Sequence, residues 1–210
     1  MTIWLYCLFG NEELLMPYFL RHYAPQVDRL FMLDGNSDDA TRAVIAACPN
    51  ASIEASPFID GGYDEYALVD YLSEKSREAR GRADWAVVVD VDEFLYDPRG
   101  LRAALDAYRK YGMRAVRASG CQMIAEEFPT GEGQLTDIVR TGLRDREYDK
   151  LAAFDPWLDV AWSPGRHNCK IDVWAHQTGL KLLHYRYFGP AYLRERNARN
   201  YARLGEADIA

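Results

Sequence analysis

An apolar run from Ile3 to Phe9 stops at Gly10 and Asn11, and a second, Trp85-Ala86-Val87-Val88-Val89, stops at Asp90. Continuous apolar runs of this length predict strands buried on both faces, as in a parallel sheet. Leu30 to Leu33 and Ala51 to Ala55 predict two further strands. Between the strands the period changes. Asn11 is placed to cap a helix whose first turn carries Glu12 and Glu13, and Pro17 is tolerable near its start. Asp34-Gly35-Asn36-Ser37-Asp38-Asp39 reads as a turn opening a helix with Ala40, Ala43, Val44 and Ala47 on one face. The Pro- and Gly-punctuated loop Ser56 to Gly62 leads to a helix from about Tyr63 to Arg80. Leu101, Ala104, Leu105 and Tyr108 mark another after Pro98. Strand and helix alternate through this half, which predicts an α/β fold with a mostly parallel central sheet flanked by helices. From Met113 to Leu183 the segments are short, broken by Gly and Pro and mixed in period, and are expected to be antiparallel strands and loops.

The strand before Asp90 ends in three acids, Asp90, Asp92 and Glu93. Alternation along an extended chain puts Asp90 and Asp92 on one side. Two carboxylates that close repel by roughly 1–4 kcal/mol at surface-like dielectric, so a positive partner is expected between them, and a hard divalent cation suits oxygen ligands. Ligands of open parallel sheets bind at the carboxyl ends of the strands. Gly10 to Glu12, Asp34 to Asp38 and Asp90 to Glu93 all fall there. No Gly-x-Gly-x-x-Gly or phosphate-cradling Gly-x-x-x-x-Gly-Lys-Ser/Thr occurs, so a phosphorylated ligand depends on metal, side-chain cations or helix amino termini.

The 210 residues suit one domain with a proper core. A net charge of -7 argues against a nucleic-acid partner. Asn11, Glu12 and Glu13 interrupt the first apolar stretch, so neither a signal peptide nor a membrane span is expected there, and peripheral membrane association stays open. Cys7, Cys48, Cys121 and Cys169 are widely spaced without Cys-x-x-Cys, which points to thiols in a reducing cytoplasm.

In order and spacing, Asn11-Glu12-Glu13, Asp34-Gly35-Asn36-Ser37-Asp38, Trp85 through Asp90-Val91-Asp92-Glu93-Phe94 and the late His184-Tyr185-Arg186 resemble a family 2-type glycosyltransferase of the GT-A fold. More narrowly, the chain is similar to the subgroup with Asp-x-Asp-Glu-Phe and a late His-Tyr-Arg. The resemblance runs from about Ile3 to Gly189. It implies one domain over 1–210, with a nucleotide-binding half (1–112) and a more irregular, antiparallel acceptor-side half (113–210). It also implies a nucleotide-sugar donor, Mn2+ or Mg2+ on the diphosphate, and a glycan or envelope-polysaccharide precursor as acceptor, with inversion at the anomeric centre.

By that resemblance Asp92 ligates the metal and Asp90 lies toward the nucleotide, while Asn11, Glu12, Asp34 and Asp38 shape the base and ribose pocket. Gly35 stands where many relatives carry a second Asp, which weakens any selection of uracil. His184 is the candidate imidazole ligand. Arg186, Lys170 and Arg166 are candidate cations for the diphosphate. Glu126 or Glu127 is the expected base, with Asp149 and Asp155 as rivals. Two other classes compete. A phosphohydrolase would use Asp90 and Asp92 as nucleophile and acid/base, though its motif belongs on a first strand. A non-catalytic nucleotide-sugar or carbohydrate module would not need both acids intact.

Overall fold

The computed structural model describes residues 1–56 and 64–204, with side chains to residue 199. Most of the expected loop Ser56 to Gly62, and Tyr63, lie outside them. In chain order the elements are β1 (Ile3–Phe9), α1 (Met16–Tyr23), β2 (Arg29–Asp34), α2 (Thr41–Ala46), β3 (Ala51–Ala55), α3 (Glu65–Arg77), β4 (Trp85–Asp90), β5 (Glu93–Tyr96) and α4 (Leu101–Lys110). Then follow β6 (Ala115–Ala125), α5 (Leu135–Ile138), β7 (Gly142–Arg144), β8 (Lys150–Phe154), β9 (Ala161–Trp162), β10 (Cys169–Lys170), β11 (His176–Phe188) and α6 (Gly189–Leu204).

Nine strands form one sheet, ordered β3-β2-β1-β4-β8-β6-β11-β5, with β7 on β6. The first four pair in parallel and align the ends that matter: Phe9 stands opposite Asp34, and Leu8 opposite Asp90. Ile3, Leu5, Cys7, Val87 and Val89 enter the core on one face, where α1, α2 and α4 pack. Trp4, Tyr6, Ala86 and Val88 enter the other, beneath Leu68, Val69 and Leu72 of α3. Burial on both faces explains why these strands read as unbroken apolar runs. The α/β expectation with a parallel first half therefore holds.

Three local readings need correction. Asn11 does not cap α1: its backbone is left-handed (φ 54°), and the carbonyl of Glu12 takes the Leu15 and Met16 amides just ahead of the helix. The buried residues of α2 are Thr41 and Ile45, with Ala40, Ala43 and Ala47 exposed, because Thr41 Oγ1 is drawn inward to accept the Glu12 amide. The second half is not uniformly short and antiparallel. β6 and β11 are long and pair in parallel, with register shifts between Gln177 and Lys181 and between His184 and Tyr187 that blur the alternation. Antiparallel pairing does hold for β8 against β4 and β6, β7 on β6, β5 on β11, and the β9–β10 pair.

Phe94 anchors the turn carrying the acids, fully buried against Phe19, His22, Tyr23 and Tyr185. Burial lowers the pKa of His22 to about 4, and its Nε2 lies 2.9 Å from the carbonyl of Leu95. The unfolded chain takes up a proton near the ordinary value of 6.5, which the folded chain resists until about 4. Stability is therefore expected to fall as pH drops through that window, by up to about 3 kcal/mol from this residue. Urea melts at pH 7 and pH 4.5 should show a smaller difference for His22→Gln than for the wild type.

All four cysteines are free. Among the described residues no helix is long and apolar enough to cross a membrane.

Candidate active site

The carboxyl ends of β1, β2 and β4 open onto a cleft of about 720 Å³. Two loops knit its β1–β2 rim. Asn11 Nδ2 donates to Asp38 Oδ1 (2.7 Å), and the Asp38 amide donates back to Asn11 Oδ1 (2.9 Å). The Asn11 amide reaches Ser37 Oγ. Asp34 is consumed in building this turn. Its Oδ1 accepts from the Ser37 amide and hydroxyl, and its Oδ2 pairs with Arg42 at 2.7 Å. Asn11, Glu12 and Asp38 line the cleft, whereas Asp34, 1% exposed, does not. On the far side Leu68, Val69 and Leu72 of α3 supply an apolar wall.

The acidic tip turns sharply after β4. Glu93 Oε2 accepts the Asp90 amide, and the Tyr185 amide donates to the Asp92 carbonyl. Side chains of this same protein already answer the repulsion among the three acids. Lys150 Nζ lies 2.7 Å from Glu93 Oε1. Arg166 reaches Asp90 Oδ2 (2.6 Å), Glu93 Oε2 (3.0 Å) and the carbonyl of Val88 (3.0 Å). Arg196 Nη1 lies 2.6 Å from Asp92 Oδ2, and its Nε and Nη2 both reach Glu12 Oε1. The positive partners at the tip, among the described residues, are thus the organic cations Lys150, Arg166 and Arg196. Arg166, at 5% exposure and with a left-handed backbone (φ 56°), is fixed beneath the tip by these contacts.

Burial opposes ionisation of Asp92, but Arg196 and His184 outweigh it and hold its carboxyl well below the ordinary value. Burial also opposes ionisation of Glu93, yet Lys150 and Arg166 bring it down to about 2. Burial pushes the Glu12 carboxyl up, with Arg196 opposing.

His184 reaches this corner because β11 pairs it with Gln122 of β6 and with Glu93 of β5. Gln122 Nε2 donates to Asp145 Oδ2 (3.0 Å), which turns its carbonyl oxygen to His184 Nδ1 (2.6 Å). A carboxylate only accepts, so the chain of donors places the proton on Nδ1. Nε2 then lies 3.2 Å from Asp92 Oδ2: as an imidazolium the ring donates to the carboxylate, and as the Nδ1–H tautomer it faces the carboxylate as a second acceptor. Two acceptors facing one another suit a cation, and an imidazole oriented through its other nitrogen is the usual second layer of a metal site. Among the described residues no group of three or more His, Cys, Asp or Glu side chains is placed to hold a metal ion. A cation here would draw its remaining ligands from substrate oxygens and water.

The Tyr148 ring stacks on His184, with centroids 4.5 Å apart. Gly120 makes room for it, since a Cβ there would sit 2.5 Å from Tyr148 atoms. Gly120→Ala is expected to dislodge Tyr148 and weaken cation binding roughly 10-fold, as loss of outer-layer support commonly does. Calorimetric titration with Mn2+ checks it.

Asp90, Arg186 and His167 also line the cleft, and His167 Nδ1 lies 2.6 Å from the carbonyl of Glu147. Lys170 is exposed on β10, and Glu126 and Glu127 are exposed at and beyond the end of β6; none of the three lines the cleft. Arg196, Lys150, Gln122 and Tyr148 escaped sequence reasoning. Only Lys150 carries a signal, as a charge opening the apolar run Leu151 to Phe154.

No family model matches the sequence, and no curated protein does. Solved structures share parts of the fold. Glucosyl-3-phosphoglycerate synthase from Mycobacterium tuberculosis, in complex with Mn2+, UDP and glucosyl-3-phosphoglycerate, is 22% identical, with a TM-score of 0.40 over 57% of this chain and 44% of that one. The same synthase with phosphoglyceric acid matches at 19% identity and TM-score 0.44, covering 74% and 57%. The 4-diphosphocytidyl-2C-methyl-D-erythritol synthase from Anaerococcus prevotii matches at 11% and 0.42, covering 74% and 70%. The present chain thus spans less than half the length of the first of these.

Proposed function

We propose that the protein transfers a sugar from a nucleoside-diphosphate donor to an acceptor hydroxyl, with Mn2+ or Mg2+ bound by Asp92 and His184. One observation carries the reading: the Asp92 carboxylate, held ionised, and an imidazole anchored at Nδ1 by Gln122 face each other at the strand end, beside a cleft with one apolar wall. A divalent cation there would neutralise charge developing on the departing diphosphate. The chain's own residues do the rest. Gln122 and Tyr148 hold the imidazole in place. Arg166 and Lys150 fix the tip, so that Asp90 presents its half-exposed carboxylate to the cleft. Arg186 lines the cleft as a further cation for the donor's phosphates. Asn11 and Asp38 form the polar rim on the side proposed for the nucleoside, and Leu68, Val69 and Leu72 the apolar wall opposite.

A phosphohydrolase is a weaker reading. Its acid pair belongs at the end of a first strand, whereas Asp90 ends β4, with the buried Glu93 and Phe94 following the pair. A thermal-shift screen of nucleotide sugars with and without Mn2+ tests the proposal. The true donor at a hundredfold over its dissociation constant is expected to add about 3 kcal/mol, only with the cation present. Stabilisation by phosphate monoesters in place of nucleotide sugars would contradict it.

A further inference from the structure

The oxygen of Asp92 that faces His184 is also the one held by α6. Asp92 Oδ2 lies 3.2 Å from His184 Nε2 and 2.6 Å from Arg196 Nη1. A cation seated between His184 and this oxygen therefore contends with a guanidinium for the same atom. Arg196 is itself buried and would keep two contacts to Glu12 Oε1, through Nε (3.1 Å) and Nη2 (2.8 Å), if Nη1 were released. The clamp joins the two ends of the chain, since Glu12 follows β1 and Arg196 lies on the last helix.

A second observation concerns the packing of α6. The Tyr192 hydroxyl, one turn before Arg196, is buried and meets no hydrogen-bond partner among the described residues, a costly arrangement for a polar group. α6 also starts at a tight point: Gly189 has φ 73°, and a Cβ there would collide with the carbonyl of Glu126.

We propose that Arg196 is a built-in competitor of the divalent cation: it neutralises Asp92 in the ligand-free protein and yields that oxygen when the cation binds, so that α6 responds to loading. This rests on the cation reading of Asp92 and His184, and the test separates the two. Free Mn2+ is counted by electron paramagnetic resonance during titration of the wild type, of Arg196→Met, and of Arg196→Met combined with Glu12→Gln, which leaves no unpaired buried carboxylate at Glu12. Asp92→Asn serves as the control.

At least one folded Arg196→Met protein is expected to bind Mn2+ tenfold or more tightly than the wild type, equivalent to about 1.4 kcal/mol. Equal or weaker binding in every folded variant overturns the competition. If neither variant folds by circular dichroism, hydrogen exchange of the wild type decides. Mn2+ is expected to speed exchange across residues 189–199, and unchanged or slower exchange overturns the proposal. Absence of Mn2+ binding in all proteins overturns the cation site itself. Binding that persists in Asp92→Asn overturns its placement.

Discussion

Asp92→Asn is expected to lower sugar transfer at least about 10³-fold while the fold survives. Removing one group aimed at developing charge in a preorganised site costs roughly 10²–10³-fold, and here the cation is lost with it. Asparagine keeps the shape and one acceptor oxygen, so Arg196 retains a partner at Asp92 and its contacts to Glu12. The prediction distinguishes Asp92 from its neighbour. Asp90 carries a side chain 41% exposed and is paired to Arg166, so Asp90→Asn should perturb donor affinity more than cation affinity. Parallel Mn2+ titrations and turnover measurements on both variants check the split. Equal transfer by Asp92→Asn and wild type would mean that the charge on the leaving group is neutralised elsewhere.

Glu93→Ala is expected to cost about 3–5 kcal/mol of folding stability, because it removes the buried carboxylate between two buried cations and leaves them the half-exposed Asp90 to share. Lys150 has a side chain 5% exposed and rests on Glu93 Oε1 at 2.7 Å. Arg166, equally buried, loses its contact to Glu93 Oε2 and keeps only Asp90 and the Val88 carbonyl. The Asp90 amide also loses its acceptor, so the turn presenting Asp92 loosens. Against a total of about 5–15 kcal/mol for a folded protein, such a loss is a third or more in most cases. Urea unfolding monitored by tryptophan fluorescence measures it. A loss under about 1 kcal/mol would show that Lys150 and Arg166 reach water once Glu93 is gone.

The parallel half was legible because strands buried on both faces leave little room for polar residues. Ile3 to Phe9 and Trp85 to Asp90 therefore announce both their length and where they stop. The acidic tip was legible for the same reason, three acids in four residues after an apolar strand. The other half was hidden by its own construction. β6 carries Gly120 to admit Tyr148 and Gln122 to orient His184, which breaks the apolar alternation that identifies a strand. Asp34 illustrates a different limit: an acid at a strand end serves a ligand or its own turn equally well in sequence, and here Ser37 and Arg42 take both oxygens. Arg196 had no signal at all, since it meets Asp92 across 104 residues on a helix whose neighbouring charges, Arg194 and Glu195, are exposed.

The central claim is that Asp92 and His184 hold a divalent cation that assists departure of a nucleoside diphosphate. Its most direct measurement is the release of nucleoside diphosphate from a panel of nucleotide sugars, followed with Mn2+ and with a chelator, in the wild type and in Asp92→Asn. The account predicts release from at least one donor that requires the cation and disappears in the variant. Release that survives chelation at an unchanged rate, or that continues undiminished in Asp92→Asn, would contradict it.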